Sequence, residues 1–234
     1  MDYKKFLLFG DSITEFAFNP EHFAVGSALS NVYSRKLDIL QRGYAGFNTR
    51  WAIPVLKNII DQDGEDIVMG TIFFGSNDSV ATGPQRVPLP EFVENTKKLI
   101  QIMKDANIKP IVVGPGLLNR DIWEVIKKDD IEKGWIRSNE AFKEYNHALK
   151  KLTYEVKVPY INLQECFLKV SRANNEEWQS YTIDGLHFSG AGYKIYFDQL
   201  MKVIDTFYPE YSPSTLKTNL PNWRDIQEDG SNIF

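Results

Sequence analysis

Residues 67–78 read Ile-Val-Met-Gly-Thr-Ile-Phe-Phe-Gly-Ser-Asn-Asp. The first eight carry no charge and are rich in β-branched and aromatic side chains. A run of that length is too short for a buried helix and suits a strand covered on both faces, the central position of a parallel sheet. The last four are turn formers, so the strand ends in a polar loop. Working outward, the same unit recurs. Short apolar runs at Phe6–Phe9, Ile39–Gln41, Ile111–Val113 and Tyr160–Leu163 read as strands. Between and after them, helical periodicity runs over Phe23–Leu37, Arg50–Ile60, Leu89–Ala106, Ser138–Val156 and Ala191–Tyr208. Strand and helix in alternation predict a single three-layer α/β/α domain with a five-stranded parallel sheet. Right-handed crossovers give it the flavodoxin-like order 2-1-3-4-5.

No Ser-, Gly- or Pro-rich linker interrupts this scheme, so residues 1–208 are read as one domain. Leu117–Arg137, polar and tryptophan-containing, falls outside the alternation and is read as a wall or lid. Residues 209–234 form a Pro-, Asn- and Asp-rich tail. It is expected to pack on the domain or on a second subunit of a homodimer, with Trp223 and Ile233-Phe234 as anchors.

The 27 Lys and Arg against 31 Asp and Glu leave a net charge of −4, which argues against a broad electrostatic grip on nucleic acid or an anionic membrane. Cys166 is the only cysteine, so no intrachain disulfide can form and a cysteine-ligated metal site is not expected. Met1-Asp2-Tyr3-Lys4-Lys5 is followed by only four apolar residues, short of an export signal, and no run is long enough to span a membrane. A cytoplasmic protein is the expectation.

Ligands of open α/β sheets sit at the carboxyl ends of the strands, and three polar clusters fall there. Gly10-Asp11-Ser12 follows the first strand, Gly75-Ser76-Asn77-Asp78 the third, and Asp184-Gly185-Leu186-His187 precedes the last helix. A serine hydroxyl needs a base to become a nucleophile. Asp184 and His187, three apart around a glycine, let the carboxylate orient the imidazole while the second ring nitrogen faces the serine. The Asn77 amide could donate to a developing oxyanion, and the Gly43-Tyr44-Ala45-Gly46 loop could bring a backbone N–H close to a ligand. Each cluster also has a plain structural reading: Ser12 or Thr14 as a helix cap, Asp184-Gly185 as a turn, Ser76–Asp78 as a loop. Ser189 reads as the cap of the last helix. No phosphate loop, zinc motif or Gly-x-Ser-x-Gly elbow is present, and no metal or other cofactor is expected.

The joint placement of these clusters resembles the SGNH (GDSL-type) hydrolase family, along nearly the whole chain from Lys5 to Pro209. The resemblance implies Ser12 as nucleophile and Asp184 and His187 as the rest of a triad. It further implies an oxyanion hole made by the Ser12 N–H, Gly46 and Asn77. The chain departs from the family's second block, where Gln41-Arg42-Gly43 stands in place of an asparagine ahead of the glycines. Within the family the likeness is to esterases of short-chain, acetate-type esters of small alcohols. The implied partner is therefore a small-molecule ester, cleaved through an acyl-enzyme. Thioesters, lysophospholipids and acetylated sugars are alternative substrates for the same triad, and a non-catalytic flavodoxin-like binding module is a further alternative. Phe16 and Phe18, just behind the nucleophile, are the pocket candidates, ahead of Phe73, Trp123 and Trp135. The reactive form requires a neutral His187, so activity is expected to fall on acidification.

Overall fold

In the computed structural model, which describes residues 3–234, successive residues of the first strand, β1 (Lys5–Gly10), point to opposite sides of a sheet. Phe6 and Leu8 enter one core and Leu7 and Phe9 the other. Alternation of this kind, with every residue apolar, is what a doubly covered strand requires. Strands β2 (Asp38–Gly43), β3 (Ile67–Phe73), β4 (Lys109–Gly114) and β5 (Tyr160–Asn162) complete a five-stranded sheet in the order 2-1-3-4-5, with every strand pair parallel. Met1 and Asp2, the start of the run read against an export signal, lie outside the described residues.

Nine α-helices are seen among the described residues: α1 (Ser12–Glu15), α2 (Val25–Val32), α3 (Thr49–Asp63), α4 (Leu89–Asp105), α5 (Arg120–Ile126), α6 (Lys128–Glu132), α7 (Asn139–Glu155), α8 (Leu163–Asn174) and α9 (Gly190–Phe207). Helices α3, α4 and α7 cover one face, while α2, α8 and α9 cover the other. The crossovers that lead rightward from β2 therefore all lie on one side, the arrangement set by right-handed connections. Among the described residues no helix is long and apolar enough to cross a membrane.

Helices α2 and α8 differ from the sequence reading, and α5 and α6 form within the Leu117–Arg137 segment, where no helix was read. Helix α2 is confined to Val25–Val32, because residues 33–36 turn and Arg35 takes a positive φ of 61°. Helix α8 had no counterpart in the pattern. Asn162 ends β5 and at once caps α8, its side chain accepting from the Glu165 N–H at 3.1 Å. With no turn between strand and helix, Leu163 looks like the end of a strand.

The tail keeps close to the domain over its first half. Tyr33 donates to the Tyr211 carbonyl, the Arg35 guanidinium to the carbonyls of Asn219, Leu220 and Pro221, and Lys36 to that of Pro213. Leu216 rests on the core. The expected anchors do not serve within one chain: Trp223 is 69% exposed and Phe234 99%. Backbone carbonyls of an irregular segment need donors, and Arg35 supplies several at once.

The register carries the function. Gly10, the last residue of β1, lies beside Gly43 of β2 and Phe73 of β3. Loops leaving three adjacent strands thus start at one level and share one edge. Gly43 must be glycine for this, since a Cβ there would fall 2.0 Å from the Glu15 nitrogen.

Candidate active site

Ser12 is the first residue of α1, and Asp11 is its cap. The Asp11 side chain accepts from the Ile13 N–H at 3.0 Å. The cap expected at Ser12 or Thr14 is therefore at Asp11, which leaves the Ser12 hydroxyl free for another partner. That partner is His187: its Nε2 lies 2.9 Å from Ser12 Oγ. On the far side of the ring, Nδ1 lies 2.6 Å from Asp184 Oδ2. The other Asp184 oxygen accepts from the backbone N–H groups of Leu186 and His187, at 3.0 and 2.8 Å. Burial pushes the Asp184 carboxyl up, but the His187 ring and those two N–H groups outweigh it and hold the carboxyl down at about 2. Asp184 is thus a fixed anion that orients the imidazole.

Long-range contacts hold this loop. Gly185 has a φ of +95° and its would-be Cβ falls 2.4 Å from the Asn119 carbonyl oxygen, so only glycine permits the approach. The Gly185 carbonyl accepts from the Asn119 N–H at 2.8 Å. Leu186 is 4% exposed and packs in a small cluster with Leu118, Trp123 and Phe142. Ser189 caps α9, as expected from the sequence. Tyr193 of α9 donates to the Ile13 carbonyl at 2.7 Å, which fastens the helix after His187 to the turn that carries Ser12.

The candidate oxyanion donors lie in the loops that follow β1, β2 and β3. The backbone N–H groups of Ser12 and Gly46 have no acceptor among the described residues. The Asn77 amide donates from Nδ2 to the Phe47 carbonyl at 2.9 Å, which uses one of its two hydrogens. Its Oδ1 accepts from Arg137 Nη2 at 2.8 Å. Gln85 joins the set by donating from Nε2 to the Gly46 carbonyl at 2.9 Å and to Asn77 Oδ1 at 3.3 Å. Neither Arg137 nor Gln85 was legible as a site residue. The one sequence signal was a cation just ahead of the α7 cap Ser138, where a helix dipole disfavours it. Gln41, the residue that departs from the family's second block, donates to the Glu15 carbonyl at 3.0 Å and braces α1 against β2.

Two carboxyls in the loops that carry Ser12 and Asn77 are fully buried. Burial raises Asp11 to about 6 and Asp78 to about 7, against the hydrogen bonds that the Ile13 N–H gives Asp11 and that Thr49 gives Asp78. Of the aromatics, Phe16 meets the His187 ring edge-on at 5.0 Å and Trp123 meets it at 6.1 Å. Phe16 is 38% exposed, as a wall open to solvent would be. The Phe18 ring lies on Gly26 of α2, partly buried against the core. Phe73 is buried against Phe188 and Tyr196, and Trp135 lies on Gly83. Burial pushes the Cys166 thiol up to about 11, unlike a nucleophile. His147 is exposed on α7, beside a cavity of about 860 Å³ that no triad residue lines. Among the described residues no cluster could hold a metal ion.

A hydroxyl, an imidazole and a carboxylate hydrogen-bonded in series at the carboxyl edge of a parallel sheet have the geometry of serine-dependent acyl hydrolases. The chain belongs to the GDSL-like lipase/acylhydrolase family, whose model matches residues 8–195, and it is a carboxylic ester hydrolase. It is 50% identical to the isoamyl acetate-hydrolyzing esterase of Saccharomyces cerevisiae, with all of both chains covered. It is 33% identical to the human isoamyl acetate-hydrolyzing esterase 1 homolog, over 96% of this chain and 88% of that one. A solved lipase/acylhydrolase from Enterococcus faecalis shares the fold, with a TM-score of 0.65 at 19% identity over 93% of this chain and all of that one.

Proposed function

We propose that this enzyme hydrolyses short-chain, acetate-type esters of small alcohols through an acyl-enzyme on Ser12. The single observation that carries the reading is the unbroken series Ser12 Oγ–His187 Nε2 at 2.9 Å and His187 Nδ1–Asp184 Oδ2 at 2.6 Å. His187 takes the Ser12 proton as the hydroxyl oxygen attacks the ester carbonyl carbon. The carbonyl oxygen becomes an oxyanion held by the Ser12 N–H, the Gly46 N–H and the free hydrogen of the Asn77 amide. On collapse, the bond to the leaving oxygen breaks and His187 returns the proton to the departing alcohol. Water then attacks the acyl-enzyme by the same route and releases the acid. Asp184 stays ionised throughout and keeps the imidazole in the required tautomer.

The alcohol's alkyl group suits the space between Phe16 and Trp123, which flank the imidazole that protonates it. The substrate class is supported by the name of the yeast relative, which shares half of its residues with this chain. Residues 1–208 as the catalytic domain, residues 209–234 as its tail, a cytoplasmic location and a homodimer belong to the same proposal. Sedimentation giving a mass twice 27.0 kDa supports the dimer, and a mass of one chain removes it. The test of the chemistry is a panel of acetate, butyrate and longer esters run on wild type and Ser12→Ala. Hydrolysis of short acetates by wild type and its loss in the variant support the reading, and equal hydrolysis by both overturns it.

A further inference from the structure

Arg137 is 5% exposed, yet among the described residues no carboxylate lies within 4.0 Å of it. A buried cation without an ion-pair partner is costly and calls for an explanation. Its donors go to neutral acceptors only: Nε to the Ser76 carbonyl at 3.1 Å, and Nη2 to Asn77 Oδ1 at 2.8 Å and Gln85 Oε1 at 2.9 Å. Its plane lies 5.2 Å from the Trp123 ring, which itself meets the His187 ring. Burial lowers the guanidinium to about 10, while Asp11 and Asp130 act to raise it, so it is charged at neutral pH.

We propose that Arg137 is a positioning residue for the oxyanion hole, acting on Asn77 directly and on Gly46 through Gln85. This rests on Asn77 and Gly46 serving as oxyanion donors, as read above. A guanidinium can only donate, so it accepts only the oxygen end of the Asn77 amide. The Phe47 carbonyl can only accept, so it holds the nitrogen end. Between them the amide is locked with its second N–H free to meet the reacting oxygen. Gln85 cannot flip either, because Arg137 claims its oxygen and the Gly46 carbonyl its nitrogen. One side chain thereby fixes the polarity of two amides. The charge also polarises the Asn77 carbonyl, which strengthens its N–H as a donor in surroundings where water does not screen it.

Because Arg137 acts on Asn77 directly and on Gly46 only at one remove through Gln85, most of the effect of its loss should disappear when Asn77 is absent. The experiment is a double-mutant cycle of R137M and N77A, with kcat and KM measured on a short acetate ester. N77A should lose ~10²–10³ in kcat, the usual cost of one oxyanion donor. R137M should lose about 10–100-fold in kcat with KM within about twofold, because a disordered donor costs part of what a missing one does. In the N77A background R137M should cost less than about threefold further, the signature of groups acting as a unit. Q85L, which leaves the charge in place, runs the same cycle should R137M fail to fold, with an expected loss of about 3–30-fold. Equal losses in both backgrounds, or an effect confined to KM, would overturn the proposal. Wild-type kcat in N77A alone would instead overturn the oxyanion reading on which it rests.

Discussion

Ser12 and His187 meet across 175 positions of sequence through one hydrogen bond, with Phe16 and solvent beside it. Gly46 and Asn77, by contrast, are held by three hydrogen bonds from Gln85 and Arg137, and a fourth ties Arg137 to Gln85. In the first half of the site each side chain is oriented by bonds within its own turn, while long-range contacts hold the turns in place: Asp11 caps its own turn, and Asp184 binds the N–H groups of its own loop. The second half is oriented by more distant side chains: Gln85, eight residues beyond Asn77 in the same β3–α4 loop, and Arg137 from the loop ahead of α7. Chemistry that moves a proton needs a ring free to reorient slightly, whereas charge stabilisation needs donors that do not reorganise.

The predictions probe that contrast in order of size. Ser12→Ala or His187→Ala should each lower kcat by roughly 10⁶, and the double variant should be hardly worse, because they act as a unit. Rates that multiply rather than saturate would separate the two residues. Asp184→Asn should cost about 10⁴, through loss of the tautomer and of the anion, with the fold intact. A loss under about tenfold would mean that the backbone alone orients the ring. Acidification should lower activity, with no step from Asp184 until near its value of about 2. A carboxylate step above about pH 4 that Asp184→Asn abolishes would contradict this.

Two smaller effects concern what lies beneath each half. Leu186→Ala removes the buried anchor of the histidine loop and should cost about 2–4 kcal/mol of stability, measurable by denaturant unfolding. On the other side, Asp78 has its pKa raised by burial to about 7. A raised carboxyl contributes stability that is full below the unfolded-state value of ~3.9 and is lost as pH rises through the folded value. The melting temperature should therefore fall between about pH 4 and pH 7. Asp78→Asn keeps the acceptor for Thr49 and should flatten that slope. An unchanged slope would mean that the carboxyl is ionised throughout.

The sheet and the triad motifs were legible because each is written in contiguous residues. Ile67–Phe74 is apolar at every face, and Gly10-Asp11-Ser12 and Asp184-Gly185-Leu186-His187 each hold their own turn chemistry. What escaped was set by tertiary contact. Helix α8 begins without a turn, on the asparagine that ends β5. Phe18 and Phe16 are two residues apart, yet the first packs on Gly26 while the second stays open to solvent. Arg137 and Gln85 lie 52 residues apart in loops of no distinctive composition, and nothing local signals that both reach Asn77. The tail's aromatics looked like anchors by type, but the carbonyls bound by Arg35 hold the segment instead.

The most direct test of the central claim is covalent labelling with a fluorophosphonate, followed by mass mapping of the modified peptide. One label per chain on Ser12, formed rapidly in wild type and slowed by orders of magnitude in His187→Ala, is the expected result. A label on another residue, or full esterase activity in protein whose Ser12 is blocked, would contradict it.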